Sequence, residues 1–574
     1  MIPPAVNEGW RQRGMKTLIR GGRVIDPESG TDQTKDLWID GDRIVEPATL
    51  DSNSADRLID ASGCVVMAGG IDIHTHISGG KLSLARLLMQ DSLEQEAFEL
   101  GRQAMDCDYL PAAAITGQRY LEMGYTVAFE PAVIPCNARA AHAEMADIPG
   151  LATGGFCLLG NDELLLRLIA ANSPQALIND YVAWMVRATQ SIAVKVVNAG
   201  GISAFKFGER NLDVNELHPH YGITPGDVIR VLARACHEIG LVHPLHIHCS
   251  NLGVPGNIDS TLATIMAADG FPVHLTHAQF HCYGKGEHGM TSAAEKLVAA
   301  LHLHRNVTID VGQIMFGQTV TISADAPHQF DNRGHASPRK SVIADIECEA
   351  GCGVVPFRYR KKQFVHALQW AIGLELFLKI NDPSRVFLTT DHPNGAPFTA
   401  YPHLIRLLCD RTFRETALAE IDQDAAASSS LAGIDREYSL TEIATMTRSA
   451  PAAILGLSDR GHLAAGAIAD VVVYKSDENA ETMFRSPQHV FAGGKHIVDR
   501  ENNPGGIDLE IARTMDHQTL IADVSYDPAS VDRFRSMYNE HSTFDFSRLA
   551  ISDDELHSTI NSRPVRQTTR GRTS

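Results

Sequence analysis

The chain has 574 residues, of which 44% are hydrophobic and 21% are charged, and this composition is typical of folded globular proteins. Its formal net charge of −19 has the wrong sign for a general nucleic-acid binder. The sequence has no run of 18 or more apolar residues and no apolar stretch like that of a secretory signal near its start, so we expect a cytoplasmic protein without a membrane partner.

The predicted elements at the two ends of the chain resemble each other. Residues 1–15 show little periodicity, and we expect a flexible extension there. Residues 16–66 contain short strands separated by Gly, Asp and Pro turns, and residues 451–505 repeat this pattern. We expect the two segments to form one composite β-sandwich, with the middle of the chain inserted between its halves.

The middle segment, residues 67–450, alternates strand-length apolar runs with helical patterns, as βαβ units do. The expected strands include VMAGGIDIH, TVAFEP, ISAFKFG, PLHIHCS, PVHLTHA, VTIDVG and RVFLTTD, and the expected helices include GDVIRVLARACHEIG and AEKLVAALHLH. Seven or eight strands without a Gly-rich phosphate loop favour an α/β fold of the (β/α)8 barrel type over a doubly wound sheet. Residues 506–574 are predicted to form a helical extension that ends in a disordered basic tail.

Histidines stand at the ends of several of these strands, where the active site of a (β/α)8 barrel lies. His74 and His76 are two residues apart, and the strand period of two directs both side chains into the barrel mouth. Similar groups occur at two further strand ends, at His246, His248, His274, His277 and His281. Because imidazole is the commonest metal ligand, this grouping predicts a metal site.

Two other residues extend the metal-binding pattern. Asp391 ends the expected strand RVFLTTD before a Pro-Asn-Gly turn, and a carboxylate there can bind a metal and accept a proton. Lys195 lies in an apolar strand, where burial lowers its pKa and favours the neutral amine. A neutral lysine amine can take up carbon dioxide, and the resulting carbamate can bridge two metal ions.

The ligand order, with an H-x-H pair, a central lysine, two later histidines and a final aspartate, resembles the binuclear amidohydrolase superfamily. Within it, residues 16–500 most closely resemble the A subunits of formylmethanofuran dehydrogenases and of bacterial formyltransferase/hydrolase complexes. The motifs that carry this resemblance are VMAGGIDIHTHISGGK, MGYTVAFEPAV, KVVNAGG, FKFGERN, ELHPHYGITP, IHCSNLG, VHLTHAQFHCYG, DVGQIMFGQT, ECEAGCGVVPF and LTTDHPNG. Ala68 and Gly69 replace the Pro-Gly that general amidohydrolases have before H-x-H, which also fits this branch.

The resemblance implies a binuclear centre with the ligands His74, His76, Lys195, His248, His274 and Asp391. The lysine would be carboxylated and would bridge the two ions, for which zinc is the expected metal. His277 remains an alternative to His274. Asp391 would also be catalytic, since it would accept a proton from the attacking water and deliver it to the departing amine.

The implied reaction is hydrolysis of N-formylmethanofuran to formate and methanofuran, or the reverse condensation. It would take place in a complex with a formyltransferase and other subunits, of either the bacterial or the archaeal type. Two alternatives remain. A cyclic-amide hydrolase of the dihydroorotase or hydantoinase type would share the metal site but not the longer motifs, and a catalytically silent scaffold would keep the barrel but not all the ligands.

Overall fold

The computed structural model describes residues 15–46, 54–99, 101–102, 106–205, 212–323, 353–503, 506–541 and 561–565. The predicted N-terminal extension, apart from Met15, and the basic tail after Val565 lie outside these residues. The strands are β1 (Lys16–Asp26), β2 (Thr31–Asp40), β3 (Arg43–Val45), β4 (Arg57–Asp60), β5 (Cys64–Ala68), β6 (Gly70–Asp72), β7 (Tyr125–Val133), β8 (Ala152–Leu158), β9 (Ala193–Val197), β10 (Leu245–His248), β11 (Val273–Leu275), β12 (Tyr283–Gly284), β13 (Thr291–Ser292), β14 (Val307–Asp310), β15 (Gly317–Ser323), β16 (Gly353–Tyr359), β17 (Val386–Phe387), β18 (Val471–Lys475), β19 (His489–Ala492), β20 (Lys495–Asp499), β21 (Gln518–Ala522) and β22 (Asn561–Val565).

Helices follow most of the barrel strands and cover their outer side. The α-helices are Gly80–Glu99, Ala113–Glu122, Ala138–Ala146, Glu163–Ala170, Gln175–Ala188, Gly201–Phe205, Pro225–Glu238, Ile258–Ala267, Ala294–Leu303, Phe364–Lys379, Tyr401–Cys409, Arg411–Glu420, Gln423–Ala427, Leu440–Ala444, Ala450–Ile454, Ala480–Arg485, Leu509–Arg513 and Pro528–His541. Shorter helical turns are Pro135–Asn137, Ala278–His281, Phe398–Ala400, Leu431–Gly433 and Thr445–Ser449. Among the described residues, none of these helices combines the length and the apolar composition needed to cross a membrane.

Parallel strands form the predicted barrel, in the neighbour order β6, β7, β8, β9, β10, β11, β14 and β17. The barrel closes where Thr75, after β6, forms a parallel bridge with His392, after β17. The N–H of His76 donates to the carbonyl of His392 at 2.8 Å beside this bridge. These pairings confirm the (β/α)8 barrel, and its closing contact lies beside the H-x-H pair.

The predicted strand ISAFKFG does not form, and two other segments supply barrel strands. In ISAFKFG, Gly201–Phe205 is a short helix, and residues 206–211 lie outside the described part of the chain. The strand at this place in the barrel is β9, which the chain leaves through a turn in which the N–H of Gly201 donates to the carbonyl of Asn198 at 2.8 Å. The segment ATGGFCL, which was not among the expected strands, forms β8.

The N-terminal and C-terminal segments build one β-domain beside the barrel. β5 pairs antiparallel with β18, and this contact joins the two segments in the sheet order β20-β19-β18-β5-β1-β2-β3, with β4 beside β1. Apolar side chains of both segments, among them Val24, Val66 and Val473, form a hydrophobic core separate from that of the barrel. The expected composite of the two chain ends is confirmed, while the exact domain boundaries stay predictions.

The C-terminal segment differs from the purely helical prediction. Leu509–Arg513 and Pro528–His541 are helical, but β21 pairs in parallel with the first residues of β8, and β22 pairs with β21. Leu520 of β21 belongs to the same hydrophobic cluster as Phe129 and Phe156 of the barrel. The β-branched and apolar sequence Thr-Leu-Ile suits a buried strand, which explains why this part is not helical.

We predict that Leu520→Ala destabilises the protein by about 2 to 5 kcal/mol, because it leaves a cavity where β21 packs against the barrel. Thermal and denaturant unfolding of the variant would measure this loss. Leu303→Ala is the matched control, since Leu303 is 81% exposed whereas Leu520 is 0% exposed. Equal melting temperatures for the two variants would show that β21 does not stabilise the barrel.

Candidate metal centre

A polar cavity lies at the barrel mouth, where the carboxyl ends of the strands meet. It is lined by His74, His76, Lys81, Ala132, Lys195, Val197, His248, Leu252, His277, Phe280, Ile322, Asp391 and Asn394. Of the predicted ligands, the cavity brings together His74, His76, Lys195, His248 and Asp391. The remaining predicted ligand, His274, does not line it.

The first donor group consists of His74, His76 and Asp391. The Nε2 atoms of His74 and His76 lie 3.1 Å and 3.4 Å from the same oxygen, Oδ1 of Asp391. The donor atoms of the three residues all lie within 4.8 Å of one another, and His74 and Asp391 are buried. Two imidazoles and a carboxylate form a donor set that suits zinc and related divalent ions.

Two buried carboxylates orient the imidazoles of this group. Nδ1–H of His74 donates to Asp310 at 3.1 Å, and Nδ1–H of His76 donates to Glu130 at 2.9 Å. With Nδ1 engaged by a carboxylate in each ring, Nε2 is the nitrogen that faces the cavity and can bind a metal ion. Sequence motifs do not single out Glu130 or Asp310, although both stand in the expected strands TVAFEP and VTIDVG, where the strand-end reasoning also applies.

The charges of this group are strongly coupled. Burial alone would raise the pKa of Asp391, but interactions with His277, His74 and His76 hold that pKa well below its usual range. Burial alone would lower the pKa of His76, yet Glu130 and Asp391 raise it to about 9. A metal ion that binds here therefore displaces a proton from His76.

The second donor group consists of His248, His277 and His281, whose donor atoms also lie within 4.8 Å of one another. The rings of His248 and His277 are 4.5 Å apart. Among the described residues, the buried atoms Nε2 of His248 and Nδ1 of His277 have no hydrogen-bond partner. Buried polar atoms without a partner cost free energy, and a shared cation would compensate both, so this group also fits a metal ion.

The protonation of these imidazoles also suits metal binding. Burial and the neighbouring histidines lower the pKa of His248 well below its usual value. Burial lowers the pKa of His277 to about 3. Both rings are therefore neutral at pH 7, which is the form that binds a metal ion.

Lys195 reaches the cavity from one layer below the strand ends. It pairs in register with His246 of β10, and its Nζ donates to Oγ1 of Thr276 at 3.1 Å. Burial lowers the pKa of Lys195 to about 7, although Asp310 and Asp391 act in the opposite direction. A substantial fraction of the amine is therefore neutral at physiological pH.

His274 lies in this lower layer, and its shorter side chain does not reach the cavity. It pairs in register with His246, and the two rings stack with centroids 4.8 Å apart. Both ring nitrogens of His274 are occupied, Nδ1 with Thr308 at 2.8 Å and Nε2 with Asp310 at 3.1 Å. Because β11 ends at Leu275, His277 is the residue that stands at the strand end, and the geometry favours it over His274.

Strained backbone marks the strand ends around the cavity. Asn198, Asn251, His277 and Asp391 follow β9, β10, β11 and β17 and have φ angles of 42°, 62°, 35° and 48°. Left-handed φ angles are uncommon outside glycine, cost about 1 to 3 kcal/mol each, and cluster at functional sites. The turns that carry His277 and Asp391 thus hold these side chains at the mouth at the expense of local stability.

The profile of the Amidohydrolase family matches residues 57–496. The chain belongs to the amidohydrolase family. It is 44% identical over 545 residues to the A subunit of the formyltransferase/hydrolase complex Fhc of Methylorubrum extorquens, a match that covers 94% of this chain and 97% of that protein. It is 37% identical over 510 residues to Protein FwdA of Methanocaldococcus jannaschii, covering 85% of this chain and 89% of that protein.

A solved structure extends this similarity to three dimensions. A chain in the crystal structure of the formyltransferase/hydrolase complex FhcABCD from Methylorubrum extorquens, in complex with methylofuran, superposes with a TM-score of 0.86. That chain is 41% identical, and the superposition covers 96% of this amidohydrolase and 100% of the solved chain. The resemblance to this branch of the metal-dependent amidohydrolases is therefore confirmed.

We predict that Glu130→Gln weakens metal binding at the first donor group by about 10- to 100-fold, because it removes the carboxylate that orients His76. Competition with a chelator of known affinity would measure this change. Glu144→Gln is the control, since Glu144 accepts from the N–H of Gly79 nearby and contacts neither His74 nor His76. An equal loss of affinity in both variants would rule out the orienting role.

Proposed function

We propose that this chain is the hydrolase component of a formyltransferase/hydrolase complex and cleaves the formamide of an N-formylmethanofuran-type carrier to formate and the free amine. The observation that carries this proposal is the 44% identity to the Fhc relative over 94% of the chain. The methylofuran in the similar FhcABCD structure supports the carrier class, and its other chains support a hetero-oligomer. The same site would catalyse the reverse condensation.

The proposed cofactor is a pair of zinc ions held by His74, His76, Lys195, His248, His277 and Asp391. His277 takes the place of His274 in this set because only His277 lines the cavity. Lys195 is proposed to be carboxylated and to lie between the two donor groups, which the low pKa of its buried amine supports. When bound, such a pair of ions activates a water molecule and polarises the formamide carbonyl.

Asp391 is the proposed catalytic residue. Its low pKa keeps the carboxylate ionised at neutral pH, so it can accept a proton from the attacking water. His74 and Asn394 fix Oδ1 from two sides, each at 3.1 Å. Delivery of the same proton to the amide nitrogen lets the C–N bond break with release of a neutral amine, since an amide anion is a poor leaving group.

The remaining cavity residues suit a small formyl group. Leu252, Phe280 and Ile322 present apolar surface beside the donor groups. Such surface limits the access of bulk water and strengthens the electrostatic interactions of the reacting carbonyl.

Two alternative functions are less well supported. A silent scaffold has no need for buried imidazole nitrogens that lack a hydrogen-bond partner among the described residues, such as Nε2 of His248 and Nδ1 of His277. A cyclic-amide hydrolase would use similar donors, and substrate assays separate it: the proposed enzyme releases formate from N-formylmethanofuran and does not open dihydroorotate or hydantoins.

We predict that Asp391→Asn in the assembled complex lowers formate release from N-formylmethanofuran by about 10²- to 10⁴-fold, because the amide cannot accept the proton. Zinc should stay bound, since the amide oxygen can still act as a ligand. Formate assays combined with metal analysis would test this.

The control for this experiment is Asp269→Asn, which makes the same change at an exposed aspartate that also has a left-handed φ, of 51°. Full activity in Asp391→Asn would refute the proton-transfer role. A wild-type complex that contains no metal and shows no turnover would refute the proposed hydrolase function and favour the silent scaffold.

We predict that carboxylation of Lys195 in the metal-stripped complex is about tenfold faster at pH 8 than at pH 6 at equal dissolved carbon dioxide. Only the neutral amine reacts, and with a pKa of about 7 its fraction rises about tenfold over this range. The carbamate signal from ¹³C-labelled carbon dioxide after zinc addition would measure the rate. Lys195→Met is the control that should give no signal, and a wild type without any carbamate at either pH would contradict the bridge.

A further inference from the structure

We propose that the β-domain carries an additional metal site, separate from the barrel, in which His489, His496 and Asp499 bind a divalent transition-metal cation such as Zn²⁺. Donor atoms of these three residues all lie within 4.8 Å of one another. None of the three lines the barrel cavity. The site is therefore independent of the proposed hydrolytic centre.

A β-bulge between β19 and β20 brings the three donors to one face of the sheet. His489 pairs with Asp499 and Val490 with Val498, but Phe491 pairs with His496, because one residue of β20 is extra at this point. Strict alternation along β20 would place His496 and Asp499 on opposite faces, since they are three residues apart. The bulge instead brings His496 and Asp499 to the same face, because a bulge redirects the side chains that follow it.

The distances from His489 to the other two donors are close to those of a tetrahedral zinc site. Nδ1 of His489 lies 3.2 Å from Nε2 of His496 and 3.6 Å from Oδ1 of Asp499. Ligand atoms at about 2.0 to 2.1 Å from a tetrahedral ion lie about 3.3 Å apart. The 3.6 Å separation of His489 and Asp499 exceeds a hydrogen bond, whereas the two imidazoles are within hydrogen-bond distance of each other. Of the His496 ring nitrogens, Nδ1 lies nearest to Asp499, at 3.9 Å, so zinc binding requires the carboxylate to turn toward Nε2 of that ring.

Neighbouring side chains hold the two imidazoles in orientations that suit ligation. The ring of His496 stacks on Phe491, with centroids 4.4 Å apart and planes 9° apart. Nε2 of His489 faces Oε1 of Glu501 at 3.9 Å, on the side of the ring away from the proposed ion. Metal-binding histidines commonly donate their other N–H to a carboxylate, and Glu501 lies on the corresponding side of the ring, although beyond hydrogen-bond distance.

The local charges favour a cation. Burial and Arg57 lower the pKa values of His489 and His496, that of His496 to about 4, so both rings are neutral at pH 7. The positive charge of Arg57 opposes a bound cation, and the carboxylates of Asp499 and Glu501 offset it. Asp499 is 27% exposed, so water has access to the remaining coordination position.

The position of the site indicates a structural role. β20 is the last strand of its sheet, and its outer edge is covered by an isolated bridge between Val498 and Ile507 rather than by a further strand of the described residues. An ion held by one residue of β19 and two of β20 would fasten this edge strand to its neighbour.

The test is to count zinc in the assembled complex after removal of all metal with a chelator and reloading with Zn²⁺. The variants are His496→Gln and Asp499→Ala, and the matched control is His462→Gln, a partly exposed histidine of the same domain whose Nε2 donates to the carbonyl of Ser458. Wild type and control should each hold one zinc per chain more than the two variants. Formate release should be unchanged in all four proteins, because the barrel is untouched.

A second protein covers the case in which the β-domain variants fail to fold. His74→Ala combined with His248→Ala removes a donor from each group of the barrel, and the double variant should still retain one zinc per chain. Equal zinc in wild type, His496→Gln and Asp499→Ala, or no zinc in the barrel variant, would overturn this proposal. Neither result would affect the proposed hydrolase, which formate release tests separately.

Discussion

The carboxylate of Asp391 lies against the imidazoles of His74 and His76, and much of the site depends on this contact. His74 and His76 follow the first barrel strand and Asp391 follows the last, so their meeting coincides with the closure of the barrel through Thr75 and His392. A parallel barrel closes only when strand tilt and register agree around its whole circumference. The geometry of the first donor group is therefore set by every strand of the barrel.

This arrangement concentrates buried ionisable groups at one end of an otherwise apolar interior. Asp310 and Glu130 are fully buried, and each is stabilised by an imidazole of the H-x-H pair. Buried charges are costly unless paired, and the unpartnered nitrogens of His248 and His277 leave the group incomplete without a cation. The protein keeps these groups in place with strained turns, which agrees with the view that functional sites are less stable than the framework that carries them.

Local sequence patterns predicted the barrel and most of the cavity because strand ends in a parallel sheet all lie at one edge. The period of two was enough to bring His74, His76 and His248 to the mouth. It was not enough to choose between His274 and His277, because the run PVHLTHA has no signal for where β11 stops. The local sequence Thr-Leu-Ile favours a strand at β21, but it could not predict that β21 joins the barrel sheet, since its partner β8 lies more than 350 residues earlier in the chain.

The sheet pairing between β5 and β18 has a consequence for synthesis on the ribosome. Val66 and Val473 are neighbours in the folded β-domain, yet about 400 residues separate them in the chain. Chain synthesis at about 5 to 20 residues per second takes about 20 to 80 seconds to produce these residues, and β5 cannot pair with β18 before then. During that interval an apolar strand edge is open to other chains, so the nascent protein depends on chaperones or on rapid burial of this edge by the growing barrel.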